Sequence, residues 1–311
     1  MLIRELEGFN ACKGGVVSIG NFDGVHRGHQ RMIQTLVHQA RCEDLPAIVF
    51  TFDPHPIQLL RPEHAPPELM GIEERAAILE SLGVDCVIAY PTNRALLKLS
   101  AQEFFQQVLC DQLQAKGLVE GPNFYFGKDR AGDVKLLQTL CEHAGMSFKV
   151  VEPSMCDTQM ISSSEVRKAI QAGDVALAEK MLGRPYQIKG TVEHGAERGR
   201  KLGFPTANLS GVTTLLPADG VYCGFGTVGG QRYSAAIHIG ANPTFQNSET
   251  KVEVYLIGFS DEIYDQTLQV DLIERLRGTQ VFSDAEALKT QLAIDVDSAK
   301  KQLKQWNATP E

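Results

Sequence analysis

The chain has 311 residues, 43% hydrophobic and 22% charged, the make-up of a water-soluble protein long enough for two domains. Its net charge of −8 argues against a nucleic-acid backbone as partner, but not against a small anion held by backbone N–H groups. Seven cysteines without a C-x-x-C pair, an acidic N-terminus and no run of roughly 18 apolar residues argue against a disulfide framework, a zinc site, a signal peptide and a membrane span. The expectation is a cytoplasmic protein, and nothing in the sequence indicates an oligomer.

The first half alternates strand and helix patterns. Val16–Ile19 reads as a short strand ended by Gly20, followed by helical spacing from Gly28 to Ala40. Ala47–Phe52 is a second strand, stopped by Asp53-Pro54-His55-Pro56. A helix over Glu73–Leu82 leads into the strand Cys86–Ala89, and Ser100-x-x-Glu103 is a capping box opening a helix through Leu113. Gly117–Val119 reads as a strand feeding the loop Gly121–Asn123, and a helix over Asp133–His143 precedes the strand Phe148–Val151. This alternation predicts an α/β domain with a doubly wound parallel sheet, its ligands beyond the carboxyl ends of the strands.

A short helix over Asp174–Leu182 stops at Gly183, and a domain boundary follows, giving 1–183 and 184–311. Beyond it Tyr186–Val192, Gly220–Thr227, Arg232–Ile239, Val252–Phe259 and Thr267–Leu272 read as strands without intervening helices. An antiparallel β-barrel is expected. Ser283-x-x-Glu286 is a capping box for a terminal helix with Leu288, Leu292, Val296, Ala299 and Leu303 on one face.

Two strings carry chemistry. Gly20-Asn21-Phe22-Asp23-Gly24-Val25-His26-Arg27-Gly28-His29 runs from a strand through glycines into a helix start, where free N–H groups and the dipole favour phosphate. His26 and His29, three apart, can face one anion, which suits an α-phosphate as pyrophosphate departs. Ile161-Ser162-Ser163-Ser164-Glu165-Val166-Arg167 offers further hydroxyls and a planar guanidinium for a triphosphate. The second string, His194-Gly195-x-x-Arg198-Gly199-Arg200-Lys201-Leu202-Gly203-Phe204-Pro205-Thr206-Ala207-Asn208, is a cationic glycine-rich loop ending in a rigid turn. Gly199, Lys201 and Gly203 suit a polyphosphate, while the Thr206 hydroxyl and the Asn208 carbonyl are hard oxygen ligands for Mg²⁺.

The first string resembles the signature of the bacterial bifunctional riboflavin kinase/FAD synthetases. The loops Thr51–Pro56 and Gly121-Pro122-Asn123-Phe124-Tyr125-Phe126-Gly127 and the helix start Leu99–Phe104 resemble further family segments, as does the Ile161–Arg167 string. Gly199–Asn208, Pro217–Tyr222, Gly240-Ala241-Asn242-Pro243-Thr244-Phe245 and the strand Lys251–Leu256 are similar to the riboflavin kinase module. Tyr125, Ser164, Tyr255 and Gly278-Thr279 depart from the family pattern.

The resemblance implies an enzyme that phosphorylates riboflavin to FMN and adenylylates FMN to FAD, with ATP and Mg²⁺ in both steps. It implies that Gly20–Gly24, Gly28, Ser162–Ser164 and Arg167 hold nucleotide, and that Asp53, His55, Pro56, Asn123, Phe126 and Arg277 lie on the flavin side. Glu253 takes the role of general base by the same resemblance. An adenylyltransferase with an impaired kinase half, or a flavin-binding regulator without turnover, stays open from the residues alone.

Overall fold

The structure, a computed structural model, describes residues 1–4, 13–195, 198–242 and 247–308. Its contacts divide the chain into two compact units, Met1–Ser162 and Ser163–Glu311.

The first unit holds a six-stranded parallel sheet of β1 (Leu2–Ile3), β2 (Val16–Ile19), β3 (Ala47–Asp53), β4 (Cys86–Pro91), β5 (Gly117–Glu120) and β6 (Ser147–Val150). Its spatial order is β1-β4-β3-β2-β5-β6, so the order reverses between β2 and β5. Both faces are buried, as parallel sheets require. Val16, Val49, Val87 and Val119 meet Ile33 and Leu36 of α1 (Arg27–Cys42), with Leu79 of the later helix Ile72–Ser81. Val17, Ile48, Ile88 and Leu118 face the other way, onto Phe104, Leu109 and Leu137. Between β3 and β4 lie α2 (Pro56–Leu60) and α3 (Ile72–Ser81).

The Ser100–Glu103 capping box forms with both of its hydrogen bonds, at 2.8 and 3.2 Å. The helix it opens, α4, runs as an α-helix over Ala101–Phe104 and then widens into π-helical winding over Phe105–Gln112. α5 (Val134–Ala144) is capped by Asp133, and a two-residue hairpin of β7 (Met155–Cys156) and β8 (Gln159–Met160) closes the unit.

The second unit starts with α6 (Ser163–Gln171) and α7 (Val175–Leu182), then closes a six-stranded antiparallel barrel. Its strands are β9 (Tyr186–Glu193), β10 (Ala207–Ser210), β11 (Gly220–Val228), β12 (Gln231–Asn242), β13 (Asn247–Leu256) and β14 (Thr267–Arg277). A short helix, α8 (Arg198–Leu202), precedes β10. Ile237, Ile239, Val252, Val254, Val270 and Leu272 are buried alternate residues of the barrel strands.

The terminal helix α9 (Ala285–Ala308) covers Cys223, Phe225 and Ile273 with Ala299 and Leu303. Its cap differs from expectation: the Asp284 carboxylate, not Ser283, accepts the Ala287 N–H at 2.8 Å. Asp284 stands three residues before that amide, the spacing of an N-cap to its N3 amide, while the Ser283 hydroxyl donates to Asp284. α7 joins the same unit, its Glu179 accepting the Trp306 indole N–H at 2.9 Å. Burial raises the thiols of Cys141 and Cys223 to about 12, so both stay protonated as apolar filling. Because Leu303 is 1% exposed in the α9 seam, Leu303→Ala should cost about 2–4 kcal/mol, read as an earlier chemical-denaturation midpoint.

Candidate active sites

Ligands of open α/β sheets bind where the strand order reverses. Here the Gly20–His29 loop leaves β2 and the Gly121–Gly127 loop leaves β5, the two strands flanking that point, and the Asp53–Pro56 loop leaves β3 beside them. Pairing of β2 with β5 extends only through Val17 and Leu118. Past it the Ile19 N–H donates to the Glu120 carboxyl at 2.6 Å, in place of a ladder bond. Burial raises the pKa of Glu120 well above the ordinary carboxyl range, against the pull of that N–H.

Phe22, Gly24 and Val25 all have positive φ (48°, 83° and 36°), a tight reversal that brings the chain back over the strand ends. The strained residues are clamped: Phe22 and Val25 are buried, and the Val25 N–H reaches the Phe22 carbonyl at 3.0 Å. Asp23 is buried too. Its two oxygens accept the Leu69 N–H at 3.1 Å each, and the Arg75 guanidinium lies 3.7 Å away, itself beside Thr51 Oγ1 and the Met70 carbonyl. Thr51 in turn donates to the Asn21 carbonyl at 3.2 Å, tying the loop to β3.

His26 is the N-cap of α1, its Nδ1 accepting the His29 N–H at 3.3 Å. The two imidazoles stack with centroids 3.6 Å apart and planes 16° from parallel, and the Phe22 ring meets His29 edge-on at 5.2 Å. Burial, then the charges of His26 and Arg75, hold His29 well below its ordinary pKa of 6.5, so it is neutral. His29 Nδ1 and Asn21 Oδ1 are buried without a hydrogen-bond partner among the described residues. Gly28 packs closely: a Cβ there would sit 3.1 Å from the His26 ring.

The structure places the other expected residues of this unit as follows. His55 caps α2, its Nδ1 accepting the Ile57 N–H at 3.1 Å, and Pro56 is the first residue of that helix. Asn123 is exposed, whereas Phe126 is buried in the core against Phe104 and Phe124. Ser162 follows Ile161, whose carbonyl would lie 3.7 Å from a Cβ on Gly28, so the start of this string reaches the head of α1. Ser163, Ser164 and Arg167 stand on α6, across the division between the units.

In the barrel, register does the assembling. Asn208 of β10 pairs with Glu253 of β13, Glu253 pairs with His238 of β12, His238 with Val221 of β11, and Val221 with Arg277 of β14. Directly paired residues point to the same face, so Asn208, Glu253 and His238 form one row on the outer surface of the barrel. Thr206, two residues before Asn208, joins Asn208, Gly195, Arg200 and Tyr264 around a cavity of about 160 Å³. His194 stacks on Tyr264 at 3.7 Å, and Arg200 lies 4.0 Å from Glu262 at the same cavity.

Two glycines press on the predicted metal ligands. A Cβ on Gly195 would lie 2.2 Å from Asn208 Nδ2, and one on Gly199 would lie 2.4 Å from the Phe204 carbonyl and 3.3 Å from Thr206 Oγ1. Gly203 takes φ 90°, which favours glycine. The side chain of Lys201 and residues Pro243–Phe245 lie outside the described residues. Arg277 is held by Asp295 of α9 through two bonds, 2.9 and 2.7 Å.

Sequence reasoning missed Arg75, Glu120, His238 and Asp295. Each is an ionisable residue inside an otherwise apolar or helical pattern, and its tertiary surroundings mark it out. Glu120, a carboxylate ending the apolar run Gly117-Leu118-Val119, was the one visible signal.

Two family matches define a transferase of two nucleotide-using modules. A family model described as FAD synthetase matches residues 9–165, and one described as riboflavin kinase matches residues 182–303. The chain is 38% identical over 289 residues to the bifunctional riboflavin kinase/FMN adenylyltransferase of Pseudomonas fluorescens, covering 93% of each. Its counterpart in Escherichia coli strain K12 is 36% identical over 306 residues, 96% of this chain and 97% of the relative. A solved structure described as a macrolide-efflux protein from Streptococcus pneumoniae is similar with a TM-score of 0.87 and 32% identity, covering 96% of this chain and 98% of that one. Among the described residues no helix is long and apolar enough to cross a membrane.

The chain belongs to the bifunctional riboflavin kinase/FMN adenylyltransferase family. It is an enzyme that converts riboflavin to FMN and FMN to FAD, with ATP as co-substrate.

Two outcomes follow from this geometry. Gly195→Ala should displace Asn208 and lower FMN formation at least about tenfold while FAD formation from supplied FMN continues, as separation of the flavins by chromatography would read. Because His29 is neutral in the fold but titrates near 6.5 when unfolded, the unfolded chain takes up its proton first. Its contribution to stability is therefore complete above 6.5 and shrinks as pH falls below it. The melting-temperature difference between wild type and His29→Asn should shift between pH 7.5 and 5.5, with wild type losing more.

Proposed function

We propose that the two reactions use two separate sites, the adenylyltransferase within residues 1–183 and the kinase within 184–311. The observation that carries this is the Asn208–Glu253 pair in register beside the Thr206-lined cavity, in a different compact unit from the stacked His26 and His29.

In the kinase site Glu253 takes the proton of the riboflavin 5′-hydroxyl as that oxygen attacks the γ-phosphorus of ATP. The bridging bond to the β-phosphate breaks and ADP departs. Thr206 and Asn208 would hold Mg²⁺, which when bound neutralises polyphosphate charge. Two neutral oxygens beside a cavity suit a small, hard cation that keeps waters and phosphates as its other ligands. Gly199, Lys201 and Gly203 serve the polyphosphate, and Arg277, fixed by Asp295, serves the flavin side.

In the adenylyltransferase site the FMN phosphate attacks the α-phosphorus of ATP, and pyrophosphate leaves. The nucleophile is already anionic, so no strong base is required. The head of α1 presents its N–H groups, and His26 with neutral His29 offers ring N–H donors to the charge that develops. Gly20, Asn21, Phe22, Asp23, Gly24 and Gly28 shape the nucleotide loop, with Asp23 acting through Leu69 and Arg75. Ser162 serves the triphosphate, and Asp53, His55, Pro56 and Asn123 form the flavin side, with Phe126 in the core of the same unit. Flavins and ATP are the partners, in the cytoplasm, with no nucleic acid or membrane.

The test is direct. Glu253→Ala should stop FMN formation from riboflavin and spare FAD formation from FMN, and loss of both in a folded variant sinks the two-site reading. Chelation of Mg²⁺ should stop both steps and its re-addition should restore them.

A further inference from the structure

His238 stands directly across from Glu253 in the β12–β13 register, and its side chain shares the outer face of the barrel. Cβ atoms of such a pair lie about 4.5–5.5 Å apart, within reach of an imidazole and a carboxylate. Four ionisable groups act on it from every element around it: Glu253 of β13, Arg277 of β14, Asp295 of α9 and Asp219 of the turn before β11. Three are carboxylates and one is a guanidinium already committed to Asp295. None of the roles described above uses the imidazole.

We propose that His238 is a positioning residue for Glu253 in riboflavin phosphorylation, orienting the carboxylate and relaying the proton it collects. The reading rests on Glu253 as the base. The riboflavin hydroxyl gives its proton to Glu253 while its oxygen bonds to the γ-phosphorus and ADP leaves with the electrons of the broken P–O bond. The Glu253 carboxylic acid then passes that proton to the open nitrogen of His238, which restores the carboxylate and forms an imidazolium. Glu253 and Asp219 stabilise that cation, and water takes the proton away. Burial, the largest influence on the ring, holds His238 below its ordinary pKa, more than the Glu253 charge raises it. The imidazole is therefore neutral and ready to accept at pH 7.

The experiment uses the full chain carrying His238→Asn, His238→Ala or Glu253→Gln, with kinase rates measured from pH 5 to 9. FAD formation from supplied FMN monitors the other unit, and flavin fluorescence on binding riboflavin monitors the barrel. Both His238 variants should bind riboflavin within about twofold of wild type and lose about tenfold in kcat, with KM little changed. The acid limb of the kcat profile should move to lower pH, because a group that must be neutral has been removed. A kcat within about twofold of wild type with an unchanged profile overturns the proposal, and so does a loss equal at every pH, which reports packing alone. If His238→Asn fails to bind riboflavin, His238→Ala decides by the same criteria, and loss of binding in both overturns a positioning role. Near-normal FMN formation by Glu253→Gln sinks the underlying reading of the base. A dead Glu253→Gln beside unaffected His238 variants sinks only the relay.

Discussion

The pairing of β13 with β10 on one side and β12 on the other is the constraint from which the kinase half of this enzyme follows. Side chains alternate between the two faces of a strand, so only this register sets Asn208, Glu253 and His238 in one row. A slip of one residue would turn Glu253 into the barrel interior, where Val252 and Val254 now lie. Closure of the barrel through β9 and β14 leaves no free edge along which such a slip could occur. The same pleat that buries the valines therefore exposes the carboxylate.

The adenylyltransferase half solves its placement differently. Its loops are positioned by where parallel strands end, and the reversal of strand order between β2 and β5 opens the space they share. The Gly20–His29 loop would be a costly conformation alone, with Phe22 and Val25 both in the left-handed region. It is held because Asp23 anchors it to Leu69 and Arg75 from below, Thr51 from β3, and α1 from its far end. Glu120 completes the floor by taking the Ile19 N–H that no strand pairs.

A net charge of −8 sets the electrostatic terms under which both halves handle phosphate. Neither relies on a broad basic surface. In the proposed sites the first has a helix head and imidazoles, with His29 kept neutral, and the second a short glycine-rich loop beside two neutral oxygens. Buried Arg75 and half-buried Arg277 each face a carboxylate, so both serve as anchors.

The sequence by itself determined the parallel sheet, the barrel and the terminal helix, because these follow from local periodicity and from glycine and capping chemistry within a few residues. It placed Glu253 on a strand but could not say what faced it. Tertiary structure alone decided that His238 and Asn208 flank Glu253, that Asp23 is bound to Arg75, that Phe126 lies in the core, and that Asp284 rather than Ser283 caps the last helix. Register, burial and partner choice depend on residues tens of positions apart, and no local pattern encodes which of several compatible pairings buries the most apolar surface without stranding a charge.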